Sequence, residues 1–383
     1  MYRAFEQVSD GRKARGKQYP LALLLTLLTL AKLAGETSIS GVVDWTRKRA
    51  DALRKQLGWS RGFPTNSTYT YALARANAEQ IVQVSAQVIL KAQARERCGD
   101  EPSRLQSQAQ PLSQVAMDGK TLRGTLGHED ASQPPVHLLS LYECQSGIVL
   151  AQRSVGSKEN EISAAGALVH PALVKGRLIS ADAMHTQKKW CATVTAFGGD
   201  YLLIAKDNQP TLRQDLVDFF TDPQAERDEW ETAKHCQKGH GRLEVRQIWT
   251  STQMNEWFEP QWAGVAQVFC VHRQVREGDK RREETVYGLS SLTRKQAPAV
   301  QLLAHVQAHW RVENRLHFRR DVTLGEDASQ VRKQGAPQAL AALNGVVLAL
   351  MDWLRVSNVA SKMRWFDADP LQALDLLCLS LPH

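Results

Sequence analysis

The chain has 383 residues, a net charge of +8 and a pI of about 9.2, with 43% hydrophobic and 23% charged residues. That length fits two or three domains, and the composition excludes a disordered or fibrous chain. The basic excess suits a polyanionic partner, nucleic acid foremost, although a generally basic surface gives the same sum. The six cysteines are widely separated, with neither a zinc spacing nor a disulfide framework, which reads as free thiols in a reducing compartment.

Residues 1–97 read as helical. Pro20 opens the first strong helix and Gly35 closes it. The stretch from Pro20 to Ala31 is the most hydrophobic in the chain, and Lys13, Arg15 and Lys17 precede it as in a signal peptide. It is shorter than the roughly 20 residues of a membrane span. It also lies behind a polar segment and lacks a small-residue cleavage site, so it reads as a buried helix. A second helix is expected from Ser38 to Leu57, and a third from Thr65 or Ser67 to Arg97. Arg47, Lys48, Arg49, Arg54, Lys55 and Arg61 cluster here, either as a DNA-end-binding surface or as a solvated helix face.

Residues 98–113 are a polar linker. Beyond it a strand runs to Asp118, His137–Glu143 and Ile148–Ser154 form a hairpin, and Ile162–Leu173 is helical. Leu178–Asp182 is a strand, His185–Ala196 a helix and Tyr201–Lys206 a strand. This is the order of an α/β ribonuclease H-like fold, a mixed sheet with flanking helices. Residues 222–290 read as a β-rich insertion with a charged turn from Arg276 to Glu284. A helix opened by Pro298 carries Glu313, and a last one spans Pro337–Leu354. The predicted domains are therefore an all-helical N-terminal domain 1–97, the linker, a core in two parts (114–221 and 291–383), and the insertion 222–290.

Three acids stand where a carboxylate is costly. Asp118 ends the apolar run Val115–Met117, and Asp182 follows Leu178–Ala181. Glu313 shares a helical face with Leu303, Val306, Trp310 and His317, spaced three, four, three and four apart. Burying an unpaired charge costs on the order of several kcal/mol, so a shared divalent counter-ion is a natural explanation; for Glu313, a structural ion pair with an arginine is the other. Two aspartates and a distant glutamate would hold two Mg²⁺ or Mn²⁺ ions about 3.5–4 Å apart and support phosphoryl transfer. Arg311, Arg315 and Arg319 recur every four residues as a cationic row suited to phosphates, or as an ordinary charged face. His128, His185, His235, His240, His309 and His317 form no tight metal spacing, and no nucleotide-binding G-x-x-x-x-G-K-[ST] run is present.

Several segments carry a resemblance. They are Met117-Asp118-Gly119-Lys120-Thr121-Leu122-Arg123-Gly124, Lys158-Glu159-Asn160-Glu161-Ile162, Asp182-Ala183-Met184-His185-Thr186-Gln187 and Lys206-Asp207-Asn208-Gln209. The most specific is His309-Trp310-Arg311-Val312-Glu313-Asn314-Arg315-Leu316-His317-Phe318, continued by Asp321 and Glu326-Asp327. Together they resemble the H-repeat-associated family of DDE insertion-sequence transposases over nearly the whole chain. The resemblance implies a ribonuclease H-like domain whose metal-binding triad is Asp118, Asp182 and Glu313, loaded with Mg²⁺ or Mn²⁺. It also implies double-stranded DNA partners (terminal inverted repeats and target), a homo-oligomer assembled on DNA, and a cytoplasmic, nucleoid-associated protein with no membrane association. Lys120, Arg123, Lys206, Asn208 and Arg311, with Arg315 and Arg319, are the expected DNA contacts. Departures from the family pattern are Phe318 in place of Trp, Arg320 in place of an aliphatic residue, Leu324 in place of Phe and Asp207 in place of Gly.

Overall fold

The computed structural model describes residues 1–99, 112–126, 135–156, 159–239 and 241–378. Most of the predicted linker, and Lys158, His128 and His240, lie outside these residues. The chain divides into two compact units. One comprises Met1–Gln110, Gly119–Glu161 and Glu313–His383; the other comprises Pro111–Asp118 and Ile162–Val312.

The second unit is a sheet with helices. Strand β1 (Ser113–Thr121), of which Ser113–Asp118 belong here, lies parallel to β4 (Arg177–Ala181), and β4 lies parallel to β5 (Asp200–Ala205). Strands β6 (Glu231–Gly239), β7 (Arg242–Ser251), β8 (Gln267–Glu277) and β9 (Lys280–Ser290) are antiparallel, and β9 pairs with β5. Strands β6–β9 of the predicted β-rich insertion thus continue the same sheet. Its charged turn shrinks to Gly278-Asp279, because Arg276 pairs with Arg281 and Glu277 with Lys280 across the hairpin. Gly288 makes the β5–β9 seam possible, since a Cβ there would run into the Leu203 carbonyl and the Phe269 ring. The core joins Leu178, Leu202, Ile204, Phe269 and Val271 of the sheet to Leu302, Leu303 and Val306 of the helix Ala299–His309.

In the first unit, every residue of the helix Leu21–Leu33 is buried, as its uniform hydrophobicity predicts. It packs against the helix Ala336–Trp353, so the helical N-terminal region shares a core with the C-terminal helices. The predicted helix 38–57 is two helices, Ile39–Lys48 (capped by Ser38, whose hydroxyl accepts from the Gly41 amide at 3.0 Å) and Ala50–Leu57. The third is also two, Asn66–Leu73 and Ala78–Gly99, with Asn77 accepting from the Gln80 amide to start the second. The hairpin β2 (His137–Glu143) and β3 (Ile148–Val155) belongs here, with Thr121 of β1 bonded to His137 of β2. No helix among the described residues is long and apolar enough to cross a membrane.

Candidate functional site

In the second unit, β1 and β4 run in register through Val115–Ile179 and Met117–Ala181. Asp118 and Asp182 are the next residues on these neighbouring parallel strands, so backbone pairing alone brings the two carboxylates to one end of the sheet. Both are half-buried rather than enclosed. Asp182 accepts from the Met184 amide at 3.1 Å and caps the short turn Ala183–His185. That turn is fastened to the strand beyond it: Asn208 donates to the Ala183 carbonyl, and Thr186 Oγ1 donates to the Ile204 carbonyl at 2.7 Å.

Behind the acids, a hydrogen-bonded set ties the helix Ala299–His309 to both strands. Gln114 Nε2 donates to Ser180 Oγ at 3.0 Å, His309 Nδ1 lies 3.2 Å from Ser180 Oγ, and His305 Nδ1 lies 2.8 Å from Gln114 Oε1. Burial lowers the pKa of both imidazoles; for His309 the value falls to about 4, with Lys206 and His185 adding to the effect. Near neutral pH these histidines are therefore uncharged hydrogen-bonding groups of the core.

Glu313 corrects the sequence reading. The helix ends at His309, and Val312–His317 and Arg319–Thr323 are π-helical. Bonds from i to i+5 widen the turn and slow its rotation per residue, so the face expected from a 100° step drifts. Val312, Leu316 and Arg320 take the buried side, whereas the Glu313 side chain is 61% exposed and Trp310 is exposed too. Glu313 is thus not a buried carboxylate. His317 Nδ1 lies 3.4 Å from Glu313 Oε2. The hydrogen bond to His317 is the largest influence on the Glu313 pKa and lowers it, against partial burial; the charges of His317 and Lys120 act in the same direction.

The surroundings of Glu313 in its own unit are rich in ion pairs. Lys120, almost wholly buried, lies 2.7 Å from Asp321 and 3.6 Å from Asp327. Arg319 grips Asp352 with two bonds of 2.8 and 2.6 Å, and Arg315 reaches the same carboxylate at 3.0 Å. On the other side of β1, His137 Nε2 lies 2.7 Å from Glu161 Oε2, and a Cβ on Gly119 would meet both groups at 2.7–2.8 Å. Gly119, the residue after Asp118, is bare because Glu161 and His137 fill the space of its side chain. Sequence pattern gives Glu161 no role; its only signal is the Lys158–Ile162 segment.

A family model described as transposase DDE domain matches residues 109–350, and a second, DDE_Tnp_1-associated, matches residues 2–88. The chain belongs to the transposase DDE family. An uncharacterized protein of the dhlA 3′ region in Xanthobacter autotrophicus is 30% identical over 70% of this chain and 86% of its own. A protein named as an H repeat-associated transposase, YhhI of Escherichia coli K12, is 26% identical over 93% of this chain and 92% of its own. The piggyBac transposase in a synaptic complex with hairpin DNA covers 98% of this chain and 88% of its own at 12% identity, with a TM-score of 0.37, too distant to carry an argument.

DDE transposases work with divalent metals. Asp118 and Asp182 in one unit, and Glu313 and His317 in the other, are donors of the types that hold such an ion. The predicted DNA contacts of this transposase chain divide in two. Lys206, Asn208, Arg123 and Arg311 are exposed, Arg123 with a loose 3.6 Å pairing to Asp327. Lys120, Arg315 and Arg319 have their charges matched by Asp321, Asp327 and Asp352, so the spacing of the arginines reflects internal ion pairs rather than an open cationic row.

Proposed function

We propose that this chain is an insertion-sequence transposase that binds the terminal inverted repeats of its element, cleaves phosphodiester bonds there and joins the freed 3′ hydroxyls to target DNA. The observation that carries the reading is the placement of Asp118 and Asp182 side by side, each directly after the Met117–Ala181 pair of neighbouring parallel strands, in a DDE-family chain. We assign Asp118, Asp182 and Glu313 as the acids that hold Mg²⁺ or Mn²⁺. Bound there, the metal would activate a water or 3′ hydroxyl and stabilise the leaving oxygen. His317 and Lys120 favour the ionised form of Glu313, which readies it for a cation.

Lys206, Asn208, Arg123 and Arg311 are the residues we assign to DNA phosphates, and Arg47, Lys48, Lys55 and Arg61 of the helical N-terminal region to the repeat ends. The remaining basic residues of that cluster are engaged internally: Arg49 binds Asp367 at 2.7 Å and Arg54 meets Asp51 at 3.3 Å. The active form would be a homo-oligomer assembled on DNA in the cytoplasmic nucleoid. Sequencing the DNA on both sides of the gene supplies the test substrate. Duplexes ending in the flanking inverted repeats should be nicked and joined to a second duplex in the presence of Mg²⁺. Nicking without joining would make the chain a nuclease and defeat the transposase reading.

A further inference from the structure

Arg320 is one of the departures from the family pattern that the function above does not absorb. Its side chain is fully buried in the first unit. Its Nε donates to Glu326 Oε2 at 2.9 Å, and its Nη2 lies 2.8 Å from Glu326 Oε1. Asn344, on the helix Ala336–Trp353, donates to the same Glu326 oxygen at 2.8 Å. Lys32, on the helix Leu21–Leu33, is buried as well, and the charge of Glu326 favours its protonated form. Burial brings the Lys32 pKa down to about 8, so the amine still carries its proton at neutral pH.

A buried ion pair with a second buried cation nearby is a costly arrangement for a protein interior, and an apolar cluster of the same volume would serve stability as well or better. A stability role alone therefore gives no reason for these charges. Their location supplies one. Arg320 sits on the π-helical stretch Arg319–Thr323, separated by Phe318 alone from the stretch Val312–His317 bearing Glu313 and His317. A wide turn is a poor intrinsic conformation and persists where its surroundings hold it. Asp352 holds it through Arg315 and Arg319, and Lys120 through Asp321. The Glu326 cluster holds it from the interior, and directional hydrogen bonds to a planar guanidinium fix a rotation that apolar packing leaves loose.

We propose that the Arg320–Glu326 ion pair, braced by Asn344 and with Lys32 buried nearby, is a positioning device for Glu313: it sets the rotation of the π-helical stretch and so the affinity of Glu313 for the divalent metal. The inference rests on Glu313 being a metal ligand, as proposed above. None of the four residues need touch metal or DNA.

The test is Mn²⁺ binding to the full-length protein without DNA, read by the loss of the free-ion paramagnetic resonance signal, alongside thermal unfolding. The apolar triple variant Lys32→Met, Arg320→Met, Glu326→Leu should melt at or above the wild-type temperature yet bind Mn²⁺ at least about tenfold more weakly, the scale of a lost outer-shell partner. Asn344→Leu removes one brace and leaves every charge in place; a weakening in the same direction is expected, and it decides the matter should the triple variant not fold. Wild-type Mn²⁺ affinity in the folded variants would overturn the proposal. Glu313→Gln separates the two levels. If it binds Mn²⁺ as the wild type does, the metal assignment itself is wrong; if it alone loses Mn²⁺, only the positioning role fails.

Discussion

The two regions that carry the acids hold them by different means. Asp118, within β1, and Asp182, just after β4, follow the last pair of the parallel ladder, which fixes their spacing, and neutral groups (Gln114, Ser180, His309) back them. Glu313 is exposed on a π-helical turn whose neighbours Arg315, Arg319, Arg320, Asp321 and Lys120 are all in ion pairs. A backbone ladder tolerates side-chain change; a lattice of buried charges does not, because losing one partner strands the other. The strand acids should be robust to substitutions around them, and the Glu313 segment fragile.

The largest effect should come from the lattice. Glu326→Gln leaves Arg320 and Lys32 buried without a carboxylate and should cost about 3–5 kcal/mol in denaturant unfolding. A cost below about 1 kcal/mol, measured at the same pH, would mean that the lattice is not what holds this region. Lys32→Met sharpens the point in the opposite direction. The folded pKa of Lys32, about 8, lies below its ordinary 10.5, so between these values the unfolded chain binds more protons and wild-type stability rises with pH. The variant should be more stable than the wild type at pH 7, by at most about 3 kcal/mol, and the gap should close as pH climbs through that window. A gap that stays constant from pH 7 to 10 would show that Lys32 does not titrate there.

On the strand side, Ser180→Ala removes the hydroxyl shared by Gln114 and His309 and should cost only about 1–2 kcal/mol, with cleavage retained. A collapse of folding here comparable to that of Glu326→Gln would erase the contrast. The smallest effect concerns DNA. Reversing Arg47, Lys48, Lys55 and Arg61 together in the full chain should flatten the dependence of log K on log salt by up to about 4, near 0.9 for each phosphate no longer neutralised. An unchanged slope would move repeat-end binding away from the N-terminal helices.

Much of the fold was legible because period and punctuation agree. The hairpin His137–Glu143 and Ile148–Val155 and the strand before Asp182 fall almost where alternation and turn residues place them, whereas the strand expected to stop at Asp118 runs on to Thr121. The breaks at Arg49 and near Asn77 were not, because each interrupts a helical pattern that continues on both sides. Nor was the exposure of Glu313: residue spacing implies one helical step throughout, and a π-helical widening leaves no mark on it. The same uniform step turns Arg315 and Arg319 into a phosphate-facing row, when their partner Asp352 lies 33 and more positions along the chain. Pairings over such distances follow from tertiary packing, which local pattern does not encode.

The central claim is that Asp118, Asp182 and Glu313 act together on DNA through a divalent metal. The most direct measurement is Mg²⁺-dependent cleavage of a repeat-end duplex by the wild type and by Asp118→Ala, Asp182→Ala and Glu313→Ala, with duplex binding followed in parallel. Each variant should lose cleavage by about 10⁴-fold or more, as members of a unit do, while binding stays near the wild-type level. Substantial cleavage by Glu313→Ala would contradict the account and pass the role to another acid of the neighbouring turn, Asp321.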